Sequence, residues 1–270
     1  MDDEILSKPS VRVISRPQAT RIMVANAKGG VGKTTVTTNL ITHLSEQHSV
    51  GLIDLDPQHS ASYWLQMRDE IKPTVTNYSP KSNEGANHTR SWMKHKVGRE
   101  VRYLVCDTPA GLQSPDLDRL LVDADILLIP VAPSQIDIHA TAGFVQQLLL
   151  NPQYRAKPVR LGVIMNRVKR NTLSFQKLTR FLSSLKIPVI TALRDTQNYL
   201  KAVEEGRGIN EMTKRYDSDI ADWQRILAWI NKAERQQAVA MERKQARETL
   251  AQGSEQLLSK NIPPAEAVKD

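Results

Sequence analysis

The chain has 270 residues, of which 40% are hydrophobic, enough to bury the core of one α/β domain with extra terminal segments or of two small domains. One domain is the simpler interpretation. There is no apolar run of about 18 residues and no leader-like N-terminus, so we expect neither a membrane span nor a secretory signal, and we expect a cytoplasmic protein. The single cysteine, Cys106, excludes an intrachain disulfide and a thiolate metal cage made by one chain.

The formal net charge of +8 and the sequence pI near 9.6 favour a polyanionic partner, either nucleic acid or an anionic membrane surface. This charge is unevenly distributed, because the stretch from Ile138 to Arg194 carries basic residues throughout and contains no Asp or Glu. Solvation of exposed helix faces would account for an ordinary run of basic residues. A stretch as one-sided as this favours a phosphate-binding surface.

Apolar β-rich segments alternate along the chain with segments of helical periodicity. We predict strands over residues 21–27, 50–55, 101–106, 125–131, 160–165 and 187–192. We predict helices over residues 33–45, 60–68, 135–150, 172–185 and 197–205, the last of them stopped by Gly206 and Gly208. This alternation predicts an α/β fold with a doubly wound, mostly parallel sheet and helices on both faces. Residues 69–100 are expected to form a strand fragment and a surface excursion without chemistry.

The two ends of the chain are predicted to lie outside this core. Residues 1–20 mix Pro, Ser and both charge signs without a sustained period, so we expect a loosely ordered arm. A last helix places Ile220, Trp223, Ile226, Leu227 and Ile230 at spacings of three and four, which predicts that it docks on the core. The apolar stripe thins beyond residue 233, so residues 234–270 are expected to be a helical extension with a frayed tail from about residue 253.

The segment KGGVGKTT, residues 28–35, follows the first predicted strand and leads into the first predicted helix. We call it the phosphate loop. Glycines permit close approach of the backbone, and successive N–H groups and a helix N-terminus favour an anion there. Lys33 would neutralise the β- and γ-phosphates, Thr34 would bind Mg²⁺, and Thr35 would add a hydroxyl near the α-phosphate. Backbone contacts to the nucleotide are predicted for Gly29, Gly30, Val31 and Gly32.

The phosphate loop departs from the common G-x-x-x-x-G-K-[ST] pattern, because Ala27 stands at the first glycine position. It follows the variant K-G-G-x-G-K-[ST] instead, and in this the chain resembles the deviant Walker A family of ParA and MinD. The resemblance implies an ATP-hydrolysing P-loop NTPase domain over residues 21–233. It also implies a homodimer, because the family's extra lysine, matched by Lys28, reaches across a dimer interface to the partner's nucleotide.

Carboxylates follow two further predicted strands. The run ending in Asp54-Leu-Asp56-Pro-Gln resembles the family element beside the γ-phosphate, which implies that Asp54 orders Mg²⁺-bound water and that Asp56 orients the attacking water. Asp107, in a Walker B-like strand, would hold Mg²⁺ through water, since ligands of such sheets bind at the carboxyl ends of the strands. Capping of the helix near residue 60 is the alternative role for either Asp54 or Asp56.

Two further matches are less specific. Asn166 resembles the adenine-contacting position of the family, although Asn is also common in turns. The segment from Asp195 to Gly206, with Tyr199, resembles the ParA subgroup more than MinD. The resemblance spans residues 21–229 and is specific only at the phosphate motifs.

The resemblance implies a ParA-type ATPase that binds nonspecific nucleoid DNA as an ATP-bound dimer and is released when a cargo-adaptor protein stimulates slow hydrolysis. The cargo would be a plasmid, a chromosome region or a microcompartment such as a carboxysome. The basic stretch supplies charge for sequence-independent DNA binding. The residues predicted to contact DNA are Arg167, Lys169, Arg170, Arg194 and Lys201.

Three other functions use the same loop. A MinD-like membrane switch needs a C-terminal amphipathic helix with bulky apolar residues, and no Trp or Phe follows Trp229, so membrane binding is disfavoured. An iron–sulfur ATPase needs cysteines to bridge a cluster between subunits, and Cys106 is unsuited to that. A small-molecule kinase or synthetase needs an acceptor-substrate site, and we find no pattern that resembles one.

Overall fold

The computed structural model describes residues 19–68, 75–80, 97–112, 114–157, 159–214 and 216–260, with side chains through residue 240. The arm predicted for residues 1–20 therefore lies outside the described residues, except for Ala19 and Thr20. Most of the predicted surface excursion in 69–100 and the chain beyond 260 also lie outside them. Within the described part, no helix combines the length and the apolar character needed to cross a bilayer.

The strands form one seven-stranded sheet in the order β3-β2-β4-β1-β5-β6-β7, and every pairing is parallel. The predicted doubly wound α/β fold is confirmed. The strands are β1 (Thr20–Val24), β2 (Val50–Asp54), β3 (Val75–Asn77), β4 (Tyr103–Asp107), β5 (Ile126–Val131), β6 (Arg160–Val168) and β7 (Val189–Arg194).

Helices cover both faces of the sheet. They are α1 (Lys33–Ser45), α2 (Ser60–Gln66), α3 (Ser114–Asp123), α4 (Gln135–Leu150), α5 (Pro152–Ala156), α6 (Leu173–Ser184), α7 (Gln197–Glu204) and α8 (Asp217–Lys260), with a short 3₁₀ helix at Ile209–Glu211. Apolar residues of α1, α2, α7 and α8 share a core with one face of the sheet, and those of α3, α4 and α6 share a second core with the other. Successive strand residues alternate between the cores, so Ile22 and Val24 face one and Met23 the other.

Several predicted boundaries are wrong. The first strand ends at Val24 rather than at residue 27, because the chain there leaves the sheet to enter the phosphate loop. The sixth and seventh strands extend to Val168 and Arg194, past their predicted ends at 165 and 192. Asn166 therefore lies in a strand and not in a turn. Helices α3 and α5 are additional to the prediction.

Helix α8 is one unbroken helix across residue 233 and beyond residue 253. Trp223, Ile226 and Ile230 are buried, which confirms that its first turns dock on the core. Past the predicted end of the apolar stripe, Glu234 pairs with Arg102 at 2.8 Å and accepts a hydrogen bond from the Thr20 hydroxyl at 2.6 Å. Polar contacts thus continue the docking where apolar ones thin out.

Candidate functional site

The phosphate loop, the segment that begins at Asp54 and the segment that begins at Asp107 meet where the strands end at their carboxyl termini. β4 lies between β2 and β1, and the register places Asp107 beside both Asp54 and Val24. The loops that follow these strands therefore leave from adjacent positions. Two hydrogen bonds join them: Gly111 N–H donates to the Ala27 carbonyl at 2.7 Å, and Leu55 N–H donates to the Asp107 carbonyl at 2.9 Å.

The phosphate loop has the backbone conformation that its glycines permit. Gly30 and Gly32 have φ of 76° and 92°, a region that side chains with a Cβ rarely occupy. α1 begins immediately afterwards at Lys33, and no side chain caps it. The first N–H groups of this helix are thus left for an anion, which the helix dipole also favours.

Asn166 supports this loop from β6. Its side-chain amide donates to the Val31 carbonyl at 2.9 Å. A Cβ added at Gly32 would lie 2.0 Å from the same amide nitrogen, so the contact requires glycine there. Asn166 also lines the cleft described below. Its contact with adenine remains a prediction.

Asn26 is a buried anchor that the sequence analysis missed. Its side-chain amide donates to the Pro130 carbonyl and to the Thr141 hydroxyl, both at 2.9 Å, and its Oδ1 accepts from Lys28 N–H at 3.0 Å. It thereby ties the start of the phosphate loop to β5 and α4. The partners lie more than a hundred residues away in sequence, and no local pattern at Asn26 indicates them.

The two lysines of the loop lie in different environments. Lys33 is buried, its ammonium donates to the Lys28 carbonyl at 3.4 Å, and burial lowers its pKa even though Asp107 and Asp56 act in the opposite direction. Lys28 is partly exposed, and its ammonium makes no ion pair with the residues that the structure describes. Lys33 thus points into the site, whereas Lys28 is available to a group from outside the subunit.

Asp107 and Thr34 form the centre of the predicted metal site. The Thr34 hydroxyl donates to Asp107 Oδ2 at 2.7 Å, and Thr37, a residue not singled out from sequence, donates to Oδ1 at 3.3 Å. Burial raises the pKa of Asp107 to about 7, since the carboxylate has left water and Asp54 lies nearby. A hydroxyl and a carboxylate side by side are oxygen ligands of the kind Mg²⁺ takes, so these residues fit that ion.

Asp54 and Asp56 differ in how their carboxylates are used. Asp54 is fully buried; its oxygens accept from Asp56 N–H at 3.1 Å and Ser62 N–H at 2.8 Å, and burial raises its pKa. These contacts match the alternative role, holding the first turn of α2. Asp56 is partly exposed and accepts from Gln58 N–H at 2.9 Å. Metal binding by Asp54 and water activation by Asp56 remain predictions.

A cleft of about 610 Å³ joins these groups. One wall is the phosphate loop and Asp56, and the opposite wall is Tyr199 and Leu200 of α7. Such a concave site with converging polar groups is of the size that holds a nucleotide. A loop that presents amide groups and a buried lysine, next to a hydroxyl–carboxylate pair, is suited to binding phosphates.

Comparison with known proteins identifies the kind of site. The family model described as the CobQ/CobB/MinD/ParA nucleotide binding domain matches residues 22–209. The chain belongs to this family. It is a P-loop ATPase of the ParA/MinD type, and the family resemblance stated from the phosphate loop is confirmed.

Its relatives in this family include positioning and partition proteins. The maintenance of carboxysome distribution protein A of Halothiobacillus neapolitanus is 27% identical over 217 residues, 78% of this chain and 95% of that protein. The chromosome-partitioning ATPase Soj of Thermus thermophilus is 48% identical over 56 residues, 20% of this chain and 22% of Soj.

Two solved structures show the same fold. An McdA–ATP complex from Cyanothece has a TM-score of 0.61 and 16% identity, covering 76% of this chain and 94% of that one. The MinD cell division protein of Aquifex aeolicus has a TM-score of 0.60 and 20% identity, covering 78% and 97%.

The basic residues predicted to contact DNA are placed unequally on this ParA/MinD-type domain. Arg167 and Lys169 are well exposed and only loosely paired with Asp195, at 3.9 and 3.7 Å. Arg170 is likewise exposed, and Lys201 is exposed on α7. Asp195 follows the acid-free stretch in sequence but lies close to its basic side chains in the structure. The distribution of charge along the sequence did not indicate this pairing.

Arg194 is held more tightly than the others. It makes a bidentate contact with the buried Asp219 at 2.7 and 2.8 Å and lies over the Tyr216 ring. This ties β7 to the start of α8. Its guanidinium is engaged within the protein, so its predicted DNA contact has the least geometric support of the set.

Proposed function

We propose that this chain is a ParA-type positioning ATPase, which forms an ATP-bound dimer, binds nonspecific nucleoid DNA and positions or segregates a cargo through adaptor-stimulated hydrolysis. The observation that carries the proposal is Lys28: this residue of the phosphate loop is partly exposed, whereas Lys33 is buried. The names of the relatives, carboxysome distribution and chromosome partition, support the same class of function.

The chemistry follows from the placement of the chain's own groups. The amides of the phosphate loop and Lys33 hold the triphosphate, and Thr34 and Asp107 are the groups that would hold Mg²⁺. When bound, Mg²⁺ neutralises charge on the phosphate oxygens. Asp56, which is partly exposed at the cleft, accepts a hydrogen bond from the attacking water and orients it. Lys28 completes the site of the partner subunit.

Slow turnover in isolation follows from the exposure of Asp56. Among the described residues, only the Gln58 N–H, two residues away, donates a hydrogen bond to its side chain, so the water is imperfectly placed until a second protein orders the loop after Asp107. The adaptor is expected to be encoded by the neighbouring gene. Brisk turnover by the purified protein alone, unchanged by DNA and adaptor, would argue for a metabolic enzyme instead.

DNA binding in the ATP state is the experiment that tests the proposal. A duplex of arbitrary sequence should be shifted with Mg·ATP and not with Mg·ADP, and the affinity should fall steeply as salt rises because binding releases counterions. The double substitution Arg167→Glu and Arg170→Glu should abolish the shift, since both side chains are well exposed.

The matched control makes the same kind of charge change elsewhere. Arg155 on α5 and Arg180 on α6 are exposed and do not line the nucleotide cleft, so the double substitution Arg155→Glu and Arg180→Glu should leave most of the DNA affinity intact. Equal losses of DNA affinity in the test and control variants would mean that the effect depends on net charge and not on position. A shift that is the same in ATP and ADP would count against a nucleotide-controlled DNA switch.

A further inference from the structure

A second concave surface lies at the amino ends of the strands, on the opposite side of the sheet's ends from the nucleotide cleft. It is a groove of about 580 Å³ formed where β6 and β7 begin, against one side of α8. Its apolar floor includes Leu149, Leu161, Ile187 and Trp229. Leu149 is 43% exposed, so part of this floor is open to solvent. We call this surface the basic groove.

The rim of the basic groove is cationic. Arg160, Lys186 and Lys232 line it, and no acidic side chain of the described residues does. None of the three makes an ion pair within the described part of the chain, in contrast to Arg167, Lys169 and Arg170 around the nucleotide cleft. Arg160 also has a buried Nε without a hydrogen-bond partner among those residues. Because no acidic side chain of the described residues lines the groove beside these three cations, an anionic occupant would stabilise this rim.

We propose that the basic groove binds residues 2–6 of the same chain. This segment reads Asp-Asp-Glu-Ile-Leu, three carboxylates followed by two bulky apolar side chains. The carboxylates match the three cations of the rim, and the Ile and Leu side chains match the apolar floor. The segment thus complements the groove in both charge and hydrophobicity.

The chain can reach the groove from where β1 begins. Ala19 precedes β1 at the same edge of the sheet, and β6 is two strands away, about 10 Å at the usual strand spacing. The thirteen Cα–Cα steps from Leu6 to Ala19 can span up to about 45 Å when extended. The tether is long enough, and its shortness keeps the segment at a high local concentration.

A peptide segment suits this surface better than nucleic acid does. Phosphate backbones are bound by exposed cations on open surfaces, whereas here the cations rim a concavity floored by aliphatic and indole groups. Burial of Ile and Leu side chains would use that floor, and a phosphate would not.

Disulfide cross-linking in the full-length protein tests the proposal. Cys106 is the only native cysteine and is fully buried, so the disulfides that form will join introduced thiols. Ser7→Cys places a thiol beside the acidic segment, and Gln236→Cys places one on the exposed wall of the groove without removing a cation. The control partner is Ser174→Cys, exposed at the start of α6 at the nucleotide end of the sheet.

With diamide as oxidant, the Ser7→Cys/Gln236→Cys protein should form an intrachain disulfide at least about tenfold faster than Ser7→Cys/Ser174→Cys, because bound groups have a raised effective concentration. Adding Asp2→Asn, Asp3→Asn and Glu4→Gln should remove most of that difference. These substitutions change none of the residues that the structure describes, so they test the contact and not the core that those residues form.

Three results would overturn the proposal. They are equal rates of disulfide formation with Gln236→Cys and Ser174→Cys, a rate that does not change when the charge of the segment is removed, and a disulfide that forms mainly between chains. A fourth would reassign the groove. If Lys186→Glu and Lys232→Glu abolish DNA binding while leaving the cross-linking rate unchanged, the groove serves nucleic acid.

Discussion

Two asparagines, one next to the phosphate loop in sequence and one far from it, hold the loop in shape. Asn26 joins its first residues to β5 and α4, and Asn166 bonds the Val31 carbonyl from β6. Glycine at position 32 is required both by its φ of 92° and by the proximity of Asn166. The shape of the loop therefore depends on tertiary contacts. Its own sequence shows the residues that would face the phosphate, but not the residues that hold it in place.

Gly32→Ala should lower ATP affinity about 5- to 150-fold, because a strained backbone and a displaced Asn166 cost about 1–3 kcal/mol. Titration of a fluorescent ATP analogue measures this. Gly143→Ala is the control: the site lies in α4, nothing stands within 4 Å of an added Cβ, and affinity should not change. A Gly32→Ala protein with native affinity would show that this conformation is not needed.

Asn26→Ala should lower the free energy of unfolding by about 2–4 kcal/mol, because it leaves buried groups of the loop and of Pro130 without partners. Urea unfolding monitored by circular dichroism gives the value. Asn171→Ala, at an exposed turn, should change it by less than about 0.5 kcal/mol. Comparable losses at both positions would contradict the anchoring role.

The placement of the candidate site residues could be predicted from sequence where these residues are contiguous. Lys33, Thr34 and the glycines lie in one octapeptide, and the structure gathers them with Asp107 as that motif predicts. Asn26 and Thr37 could not be predicted, since their partners are set by strand order. The intramolecular pairing of Arg194 with Asp219 was also beyond sequence, because the acid lies on another element.

At the scale of elements, α2 is clamped to the segment that follows α7. Arg68, just past the end of α2, makes a bidentate ion pair with Glu211, with N–O distances of 2.9 and 3.2 Å, and lies over the Trp64 ring. The indole of Trp64 donates to the Arg207 carbonyl at 3.1 Å. α2 follows the loop that carries Asp56, so this clamp holds one wall of the cleft.

Arg68→Ala should destabilise the fold by about 3–5 kcal/mol, because it leaves Glu211 buried and without its partner. Arg207→Ala removes an exposed pair with Glu205 and should cost less than about 1 kcal/mol. Thermal and urea unfolding of both variants give the comparison. Similar small losses would mean that water compensates Glu211 and that the clamp contributes little.

Periodicity predicted α1 and α4 at their observed bounds but missed α3 and α5. α1 and α4 have the predicted bounds because their apolar spacing is long and their ends are marked. α3 carries Leu117, Leu120 and Leu121 at helical spacing, so a signal was present there. α5 has five residues, too few for any period to show.

At the scale of the whole molecule, the proposed ATP-bound pair of subunits would give Lys28 a partner. Its ammonium has no ion pair among the described residues, and a triphosphate of a facing subunit would supply one. The exposed apolar side chains of Tyr63, Ile136 and Leu200, at 63%, 71% and 56% exposure, belong to elements that begin at this same edge of the sheet. Closing the edge would cover them.

Lys28→Ala should leave ATP binding by the single subunit near native and should abolish ATP-dependent dimers. Sedimentation velocity with a non-hydrolysable analogue and Mg²⁺ separates the two states. Lys177→Ala, an exposed lysine on α6, is the control and should dimerise normally. A Lys28→Ala protein that still dimerises with the native affinity would remove the basis for a shared nucleotide site.

The order of strands in the sheet also bears on how the protein is made. β1 and the phosphate loop are synthesised before the groups that fix them, because Pro130, Thr141 and Asn166 follow their partners by 104 to 135 residues. A nascent chain that ends before Asn166 has the glycine-rich octapeptide but not its native shape. Nucleotide can therefore act as a ligand of the completed domain and not as an early template for its folding.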